Sequence, residues 1–233
     1  MPTKFECSRQ IELPASPDHV WAAVATSDGN ASWLFPNEIE PGVGADNPNV
    51  VWDPPRRFAV RMENGDWFNM LDFAIELRGG GSLLRYCHTG VFFDNFEIQN
   101  EGIQQHTDFY LHTLGQYLRY FSPRTATYVG DMPGGIQGPP ESSQPGGFER
   151  LKAALGVSDG ISEGDSVRLT PQGLGPLDGV VDYLRPNFVG IRTADGLYRF
   201  FGRNAFGAPI GVTLHLFGNG VDAEHRSKRG SPG

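Results

Sequence analysis

The chain has 233 residues, of which 39% are hydrophobic and 12% aromatic, enough for one large or two small domains with a real core. Its formal net charge of -8 disfavours binding to nucleic acid or to anionic membranes, because both demand a basic surface. The sequence has no apolar run near the ~18 residues that cross a bilayer, and its first residues lack the apolar core of a signal peptide. We therefore expect a cytoplasmic protein without membrane insertion.

The first forty residues predict a strand followed by helical segments. Residues 4–13 alternate between apolar and polar side chains, as in a half-buried strand. The apolar face carries Phe5, Cys7, Ile11 and Leu13, with Arg9 as its exception. Ser16 is a suitable N-cap for a helix that begins at Pro17 and ends at residues 28–30. A second short helical turn is expected at residues 33–35.

Residues 50–89 predict consecutive strands joined by turns. The strands are expected at residues 50–52, 58–62, 73–77 and 83–89. Pro54-Pro55, Asn64-Gly65-Asp66 and Gly79-Gly80-Gly81 have the composition of the turns between them. The glycine run precedes a strand and lacks a following Lys-Ser/Thr pair, so it is a turn and not a phosphate-binding loop.

Residues 107–121 change to a helical period. Tyr110, Leu114, Tyr117, Leu118 and Phe121 fall on one face of a helix of about four turns, and Thr107 is its expected N-cap. A long helix after a run of strands favours an α+β fold in which the helix lies against an antiparallel sheet.

A composition change divides the chain. Ten of the eighteen residues from Gly130 to Gly147 are Gly or Pro, which is typical of a linker. We predict a first domain at residues 1–127, a linker at 128–147, a small β-rich domain at 148–218 and a disordered tail at 219–233. The second domain is expected to have a short helix at 148–155 and strands near 166–169, 179–183, 188–192, 197–201 and 210–217.

The two halves share a weak similarity. Residues 50–61 resemble residues 180–192, and His88 has a counterpart in His215 at an offset of about 127 to 130 residues. A partial repeat without the closing helix explains this similarity, and chance resemblance between short strand pairs is the alternative.

Four motifs of the first half, taken together in order and spacing, resemble the START-like (SRPBCC) superfamily. They are Pro17-Asp18-His19-Val20-Trp21, Trp33, the segment 53–58 and the segment 80–90. The nearest branch is the one named for the C-terminal domain of the Hsp90 ATPase activator, and the match covers about residues 4–125. The resemblance implies a helix-grip fold, a curved antiparallel sheet around a long C-terminal helix with a cavity between them. Residues from 148 onward look like an addition found in some bacterial relatives.

Members of that superfamily bind lipids, polyketides or other hydrophobic molecules, and a few cyclise polyketides. Candidate ligand-binding residues are large or polar side chains suited to a cavity wall: Trp33, Trp67, Tyr86, His88, Phe92 and Phe109. Tyr86 and His88 point the same way by the alternation of a strand and can hydrogen-bond a ligand. Core packing explains the aromatic residues equally well, and His88 also suits a purely structural role.

Other chemistry has little support. Cys7 and Cys87 read as reduced, strand-borne core residues without the paired spacing of a zinc site. His106 and His112 are six residues apart, far from a common helix face. We therefore expect no metal and no cofactor.

The leading interpretation is non-catalytic binding or transport of a hydrophobic small molecule, with no nucleic-acid partner. One alternative is an aromatase/cyclase-like enzyme in which Tyr86 and His88 act as acid and base. The other is a protein-interaction module, which would bring a protein partner.

Overall fold

The computed structural model describes residues 2–40, 47–130, 136–157, 160–169 and 176–218. The chain divides into two compact units, residues 1–123 and residues 124–233. Each unit contains one antiparallel sheet.

The first unit is a sheet followed by one long helix. Its elements are β1 (Thr3–Leu13), α1 (Pro17–Val24), α2 (Ser27–Ala31), β2 (Val50–Asp53), β3 (Arg57–Asn64), β4 (Trp67–Arg78), β5 (Gly81–Phe92) and α3 (Phe96–Tyr120). The five strands pair in the order β1-β5-β4-β3-β2, and α3 packs against β1 and α1. The predicted α+β helix-grip architecture is confirmed by this order, because the long helix follows the last strand and returns to the sheet.

The turns that hold this sheet were readable from the sequence. Gly79 and Gly80 have φ angles of 58° and 84°, a region that glycine enters without steric cost, and they join β4 to β5. Gly65 has φ 60° in the hairpin between β3 and β4. Ser16 caps α1, since its Oγ accepts a hydrogen bond from the backbone N–H of His19.

Two helix predictions need correction. The helix expected to reach residues 28–30 is divided into α1 and α2. Thr26 is the N-cap of α2, since its Oγ1 accepts a hydrogen bond from the N–H of Gly29 at 3.0 Å. The long helix begins at Phe96, after Asn95 in the left-handed region, and not at Thr107. Thr107 lies in the middle of α3 and is buried. The first turns of α3 are rich in Glu, Gln and Asn, so the apolar period that predicts a helix starts only later.

The second unit is built mainly from short strands. Its elements are β6 (Thr127–Val129), β7 (Ile136–Gln137), α4 (Gly147–Ala154), β8 (Ser166–Leu169), β9 (Leu177–Arg185), β10 (Phe188–Thr193), β11 (Gly196–Phe201) and β12 (Gly211–Leu216). The strand order is β6-β12-β11-β10-β9-β8, and β7 also pairs with β12. Phe148 of α4 belongs to a core formed with Val181, Val189, Ile191 and Phe200.

Part of the stretch expected to be a linker belongs to this second sheet. β6 and β7 both pair with β12, where they form short edge segments. Neither β6 nor β7 contains Gly or Pro, so both can form ladder hydrogen bonds within a stretch whose overall composition is that of a linker. The tail predicted at residues 219–233 lies outside the described residues.

The two sheets share one strand order. In each sheet the first strand pairs antiparallel with the last, and the others follow as a meander: β1-β5-β4-β3-β2 corresponds to β6-β12-β11-β10-β9. The similar segments 50–61 and 180–192 form the equivalent hairpins β2–β3 and β9–β10. His88 and His215 lie in the equivalent strands β5 and β12. This correspondence agrees with the partial repeat, which is one of the two explanations of the sequence similarity.

A buried ion pair crosses the second sheet. Arg199 donates from both terminal nitrogens to the carboxylate of Asp182 at 2.6 and 2.8 Å, and the two side chains are 1% and 4% exposed. Gly190 is the strand neighbour of Arg199, and a Cβ there would lie 2.4 Å from an atom of each partner. The absence of a side chain at Gly190 therefore makes room for the pair.

Candidate functional site

One row of aromatic side chains crosses the first sheet. The row follows the cross-strand register and consists of Trp52, Phe58, Phe73 and Tyr86. Neighbouring ring centroids are separated by 5.7, 6.1 and 5.1 Å in that order. Trp21 of α1 meets Trp52 edge-on at 5.1 Å, which identifies this face as the one that the helices cover. We call it the inner face.

The inner face is not equally buried along its strands. On β3, Phe58 is 6% exposed whereas Met62, four residues along, is 49% exposed. On β4, Phe73 is 2% exposed and Trp67 is 36% exposed. The core is therefore complete at Phe58 and Phe73, the two middle rings of the row, and the same face opens toward the hairpin between β3 and β4.

Half-buried side chains occupy the stretch between these two ends. They are Val60, Leu71, Asn69, Tyr86 and His88, each of intermediate exposure and each on the inner face by strand alternation. We call this set the inner groove. It combines apolar walls with a few polar groups, which is the usual composition of a site for a small hydrophobic molecule.

His88 is held by Asn69. The Nε2 atom of His88 lies 2.6 Å from the side-chain oxygen of Asn69. Leu71 is the register partner of His88 on β4, and Asn69 precedes Leu71 by two residues on the same face. Because an amide oxygen only accepts, Nε2 carries the proton and Nδ1 keeps a lone pair. Burial lowers the pKa of His88 to about 4, so the ring is neutral at neutral pH. His88 therefore presents an uncharged hydrogen-bond acceptor.

Tyr86 lies beside His88 on the same strand, with 6.4 Å between the ring centroids. Burial raises the pKa of the Tyr86 hydroxyl above its usual range, and the nearby side chain of Thr107 in α3 partly offsets the shift. Burial also raises the pKa of Cys7, which is 1% exposed. The hydroxyl of Tyr86 therefore stays protonated, and the thiol of Cys7 is not reactive.

Arg9 is the inner-face arginine that the sequence singled out. Its Nε and Nη2 donate to the two carboxylate oxygens of Asp108 in α3 at 2.5 and 3.2 Å. The ion pair ties β1 to α3 and neutralises the arginine. Arg61 of β3 lies on the outer face, where it bonds Glu63 at 2.8 Å and its guanidinium lies 4.0 Å from the ring centroid of Phe68.

The structure brings four of the six predicted site residues to one face. Tyr86 and His88 lie in the inner groove, and Trp67 stands at its open end. Phe92 stacks on Phe5 with centroids 4.5 Å apart, and the edge of His88 meets the same Phe5 ring at 5.0 Å.

Trp33 and Phe109 lie in the core instead. Trp33 is 2% exposed, and its indole N–H donates to the carbonyl of Ala23 at 2.9 Å. Phe109 of α3 has no exposed surface. Both side chains are packed by protein, which suits a structural role.

Sequence reasoning missed Asn69. Asn69 shares one face of β4 with Trp67, Leu71 and Phe73. A single amide on an otherwise apolar face could have identified it as a candidate site residue. Thr107 was noticed only as a helix cap, and its contacts with Tyr86 and Cys7 depend on the packing of α3 on β1.

A second depression lies on the opposite face of the sheet. It has a volume of about 520 Å³ and is lined among others by Ser8, Gln10, Arg57, Asp72 and Cys87. Arg57 is bonded to Asp72 at 2.6 Å. This depression is widely open, and the Arg57–Asp72 ion pair in its wall disfavours an apolar ligand there.

Among the described residues, no group of three or more His, Cys, Asp or Glu side chains is placed to hold a metal ion. No helix in the described ranges is long and apolar enough to cross a membrane.

Comparison with known proteins gives matches only among solved structures; no family model and no curated protein matches the sequence. The solution structure of the Aha1 dimer from Colwellia psychrerythraea is 16% identical, with a TM-score of 0.40 over 51% of this chain and 98% of that one. An AHSA1-like protein from Rhizobium etli is 25% identical, with a TM-score of 0.38 over 51% and 84%. DynU16, a protein in the dynemicin biosynthetic locus, is 13% identical, with a TM-score of 0.39 over 96% and 92%.

Proposed function

We propose that the first unit binds a hydrophobic small molecule, lipid-like or polyketide-like, in the inner groove and does not transform it. The observation that carries this proposal is the change in burial along β3 and β4. This face is buried at Phe58 and Phe73, and toward the hairpin between β3 and β4 it passes to half-exposed apolar side chains around His88 and Asn69.

The energetics of such a site come from its apolar walls. Each square ångström of apolar ligand surface removed from water is worth roughly 25 cal/mol before the costs of association. A ligand that buries on the order of 300 Å² of apolar surface would gain about 7 kcal/mol by this measure. Val60 and Leu71 supply aliphatic surface, and Tyr86 supplies an aromatic wall. The polar atoms of His88 and Tyr86 then set the orientation of the ligand.

An aromatase/cyclase-like enzyme is the second candidate, because Tyr86 and His88 do share the inner face. A general acid or base works best when its pKa lies near the operating pH. Burial moves both pKa values away from neutral pH: it lowers the pKa of His88 to about 4 and raises that of Tyr86. The pair therefore favours hydrogen bonding to a ligand over proton transfer.

The test uses two neighbouring residues of β4 that point to opposite faces. Leu71 is in the inner groove, and Met70 is equally half-buried on the outer face opposite Arg61. Fluorescence titration of the full chain with the uncharged dye Nile red measures apolar binding. We expect Leu71→Trp to fill the groove and weaken binding at least tenfold, and Met70→Trp to leave it within about twofold.

Equal affinities for Leu71→Trp and Met70→Trp would contradict the proposal, because they would place the dye elsewhere. A wild-type protein that binds no dye and releases no small molecule would favour the protein-interaction module instead.

A further inference from the structure

The polar atoms of the inner groove carry no unbalanced charge among the described residues. His88 is the groove's titratable nitrogen base and is neutral, and Tyr86 keeps its proton. Arg9, next to Tyr86 in the register, is committed to Asp108 through two hydrogen bonds. A charged ligand would lose its hydration here without gaining a counter-ion, and this costs several kcal/mol for a buried ion.

We propose that the ligand of the inner groove is an uncharged aromatic molecule that donates a hydrogen bond, as a phenol does, to Nδ1 of His88. This inference rests on the proposed function and specifies the class of ligand. It excludes carboxylates such as fatty acids as the preferred occupants.

The donor requirement follows from Asn69. Its amide oxygen accepts from Nε2 of His88 at 2.6 Å, which fixes the tautomer. Among the described residues Asn69 is the hydrogen-bond partner that the structure shows for His88, so Nδ1 is available as an acceptor. A ligand O–H satisfies this lone pair, whereas an ether or a carbonyl oxygen meets it with repulsion.

The charge preference is reinforced by α3. From Phe96 to Leu118 the helix contains neither Lys nor Arg; Asp108 is balanced by Arg9, and Glu97 and Glu101 add negative charge. Because α3 packs against the sheet that forms the groove, its field opposes an incoming anion.

The aromatic preference follows from the rings around His88. Phe73 meets Tyr86 at 5.1 Å, Phe5 stacks on Phe92 at 4.5 Å, and His88 meets Phe5 edge-on. A planar ligand extends these edge-to-face and offset contacts, which add to the gain from burial alone. Gly90 allows this arrangement, since a Cβ at that position would lie 2.6 Å from the Phe5 ring.

The test compares three naphthalene probes by calorimetric titration of the full chain at neutral pH. They are 2-naphthol, which donates a hydrogen bond; 2-methoxynaphthalene, which only accepts; and 2-naphthoate, which is an anion. A single neutral hydrogen bond corresponds to about a tenfold change in affinity. We expect 2-naphthol to bind about tenfold more tightly than 2-methoxynaphthalene, and 2-naphthoate to bind most weakly.

Two variants locate the effect. His88→Phe should bring 2-naphthol and 2-methoxynaphthalene to the same affinity. Asn69→Leu should let the proton of His88 move from Nε2 to Nδ1, which could then donate to the ether oxygen. The affinity for 2-methoxynaphthalene should rise, and the preference for 2-naphthol should shrink. The control His19→Gln changes an exposed histidine of α1 and should keep the wild-type ratio.

The outcomes separate this inference from the proposed function. Probes that bind with equal affinity, or a wild-type preference that persists in His88→Phe, would overturn the donor requirement while leaving hydrophobic binding intact. Tightest binding of 2-naphthoate would overturn the charge argument. Failure of all three probes, with no response to Nile red, would overturn both proposals.

Discussion

Replacing His88 should remove an acid sensitivity from the first unit. In an unfolded chain this histidine takes up a proton near pH 6.5, whereas burial in the folded protein lowers its pKa to about 4. Between these values the unfolded chain binds more protons, so the free energy of unfolding falls as the pH is lowered. The difference corresponds to about 3 kcal/mol over the whole interval and to about 2 kcal/mol between pH 7 and pH 5.

Tryptophan fluorescence isolates this effect. All four tryptophans, Trp21, Trp33, Trp52 and Trp67, lie in the first unit, so their emission during denaturant unfolding reports on that unit. Between pH 7 and pH 5 the wild type and the control His19→Gln should lose about 2 kcal/mol more stability than His88→Phe. An equal loss in all three proteins would refute the reasoning, because it would show that His88 has an ordinary pKa in the folded state.

Three further substitutions test contacts inside the units, two in the first unit and one in the second. Trp33→Ala should lower the stability of the first unit by about 3–5 kcal/mol in denaturant unfolding and leave the Nile red affinity of the folded protein unchanged; a stable variant with lost affinity would make Trp33 a ligand contact. Gly90→Ala should displace the Phe5 ring and weaken Nile red binding, and an unaltered titration would contradict the close approach seen there. Asp182→Asn should remove the carboxylate that balances Arg199 and lower the free energy of unfolding by about 3–5 kcal/mol, measured by thermal unfolding followed by circular dichroism. A loss below about 1 kcal/mol would show that the ion pair contributes little to stability.

Local sequence signals were sufficient for much of the first unit. The alternation of residues 4–13, the Ser16-Pro17 helix start and the glycine turn at 79–81 each depend on neighbouring residues, and the structure has all three. The order of these elements then indicated an antiparallel sheet closed by a helix.

Features that depend on register were harder to predict. Trp33 was expected in a cavity wall because of its size, but the N–H contact to Ala23 that places it in the core needs the packing of two helices. Asn69 meets His88 only through the pairing of β4 with β5. The start of α3 at Phe96 was hidden because its first turns are polar, and the strands β6 and β7 were hidden in a stretch whose composition is that of a linker.

Native mass spectrometry of the gently purified full chain tests the central claim most directly. We predict an excess mass that is released on denaturation, is absent from Leu71→Trp and persists in Met70→Trp, and that belongs to an uncharged hydrophobic molecule. A released molecule retained equally by Leu71→Trp would contradict the account, because it would be bound away from the inner groove.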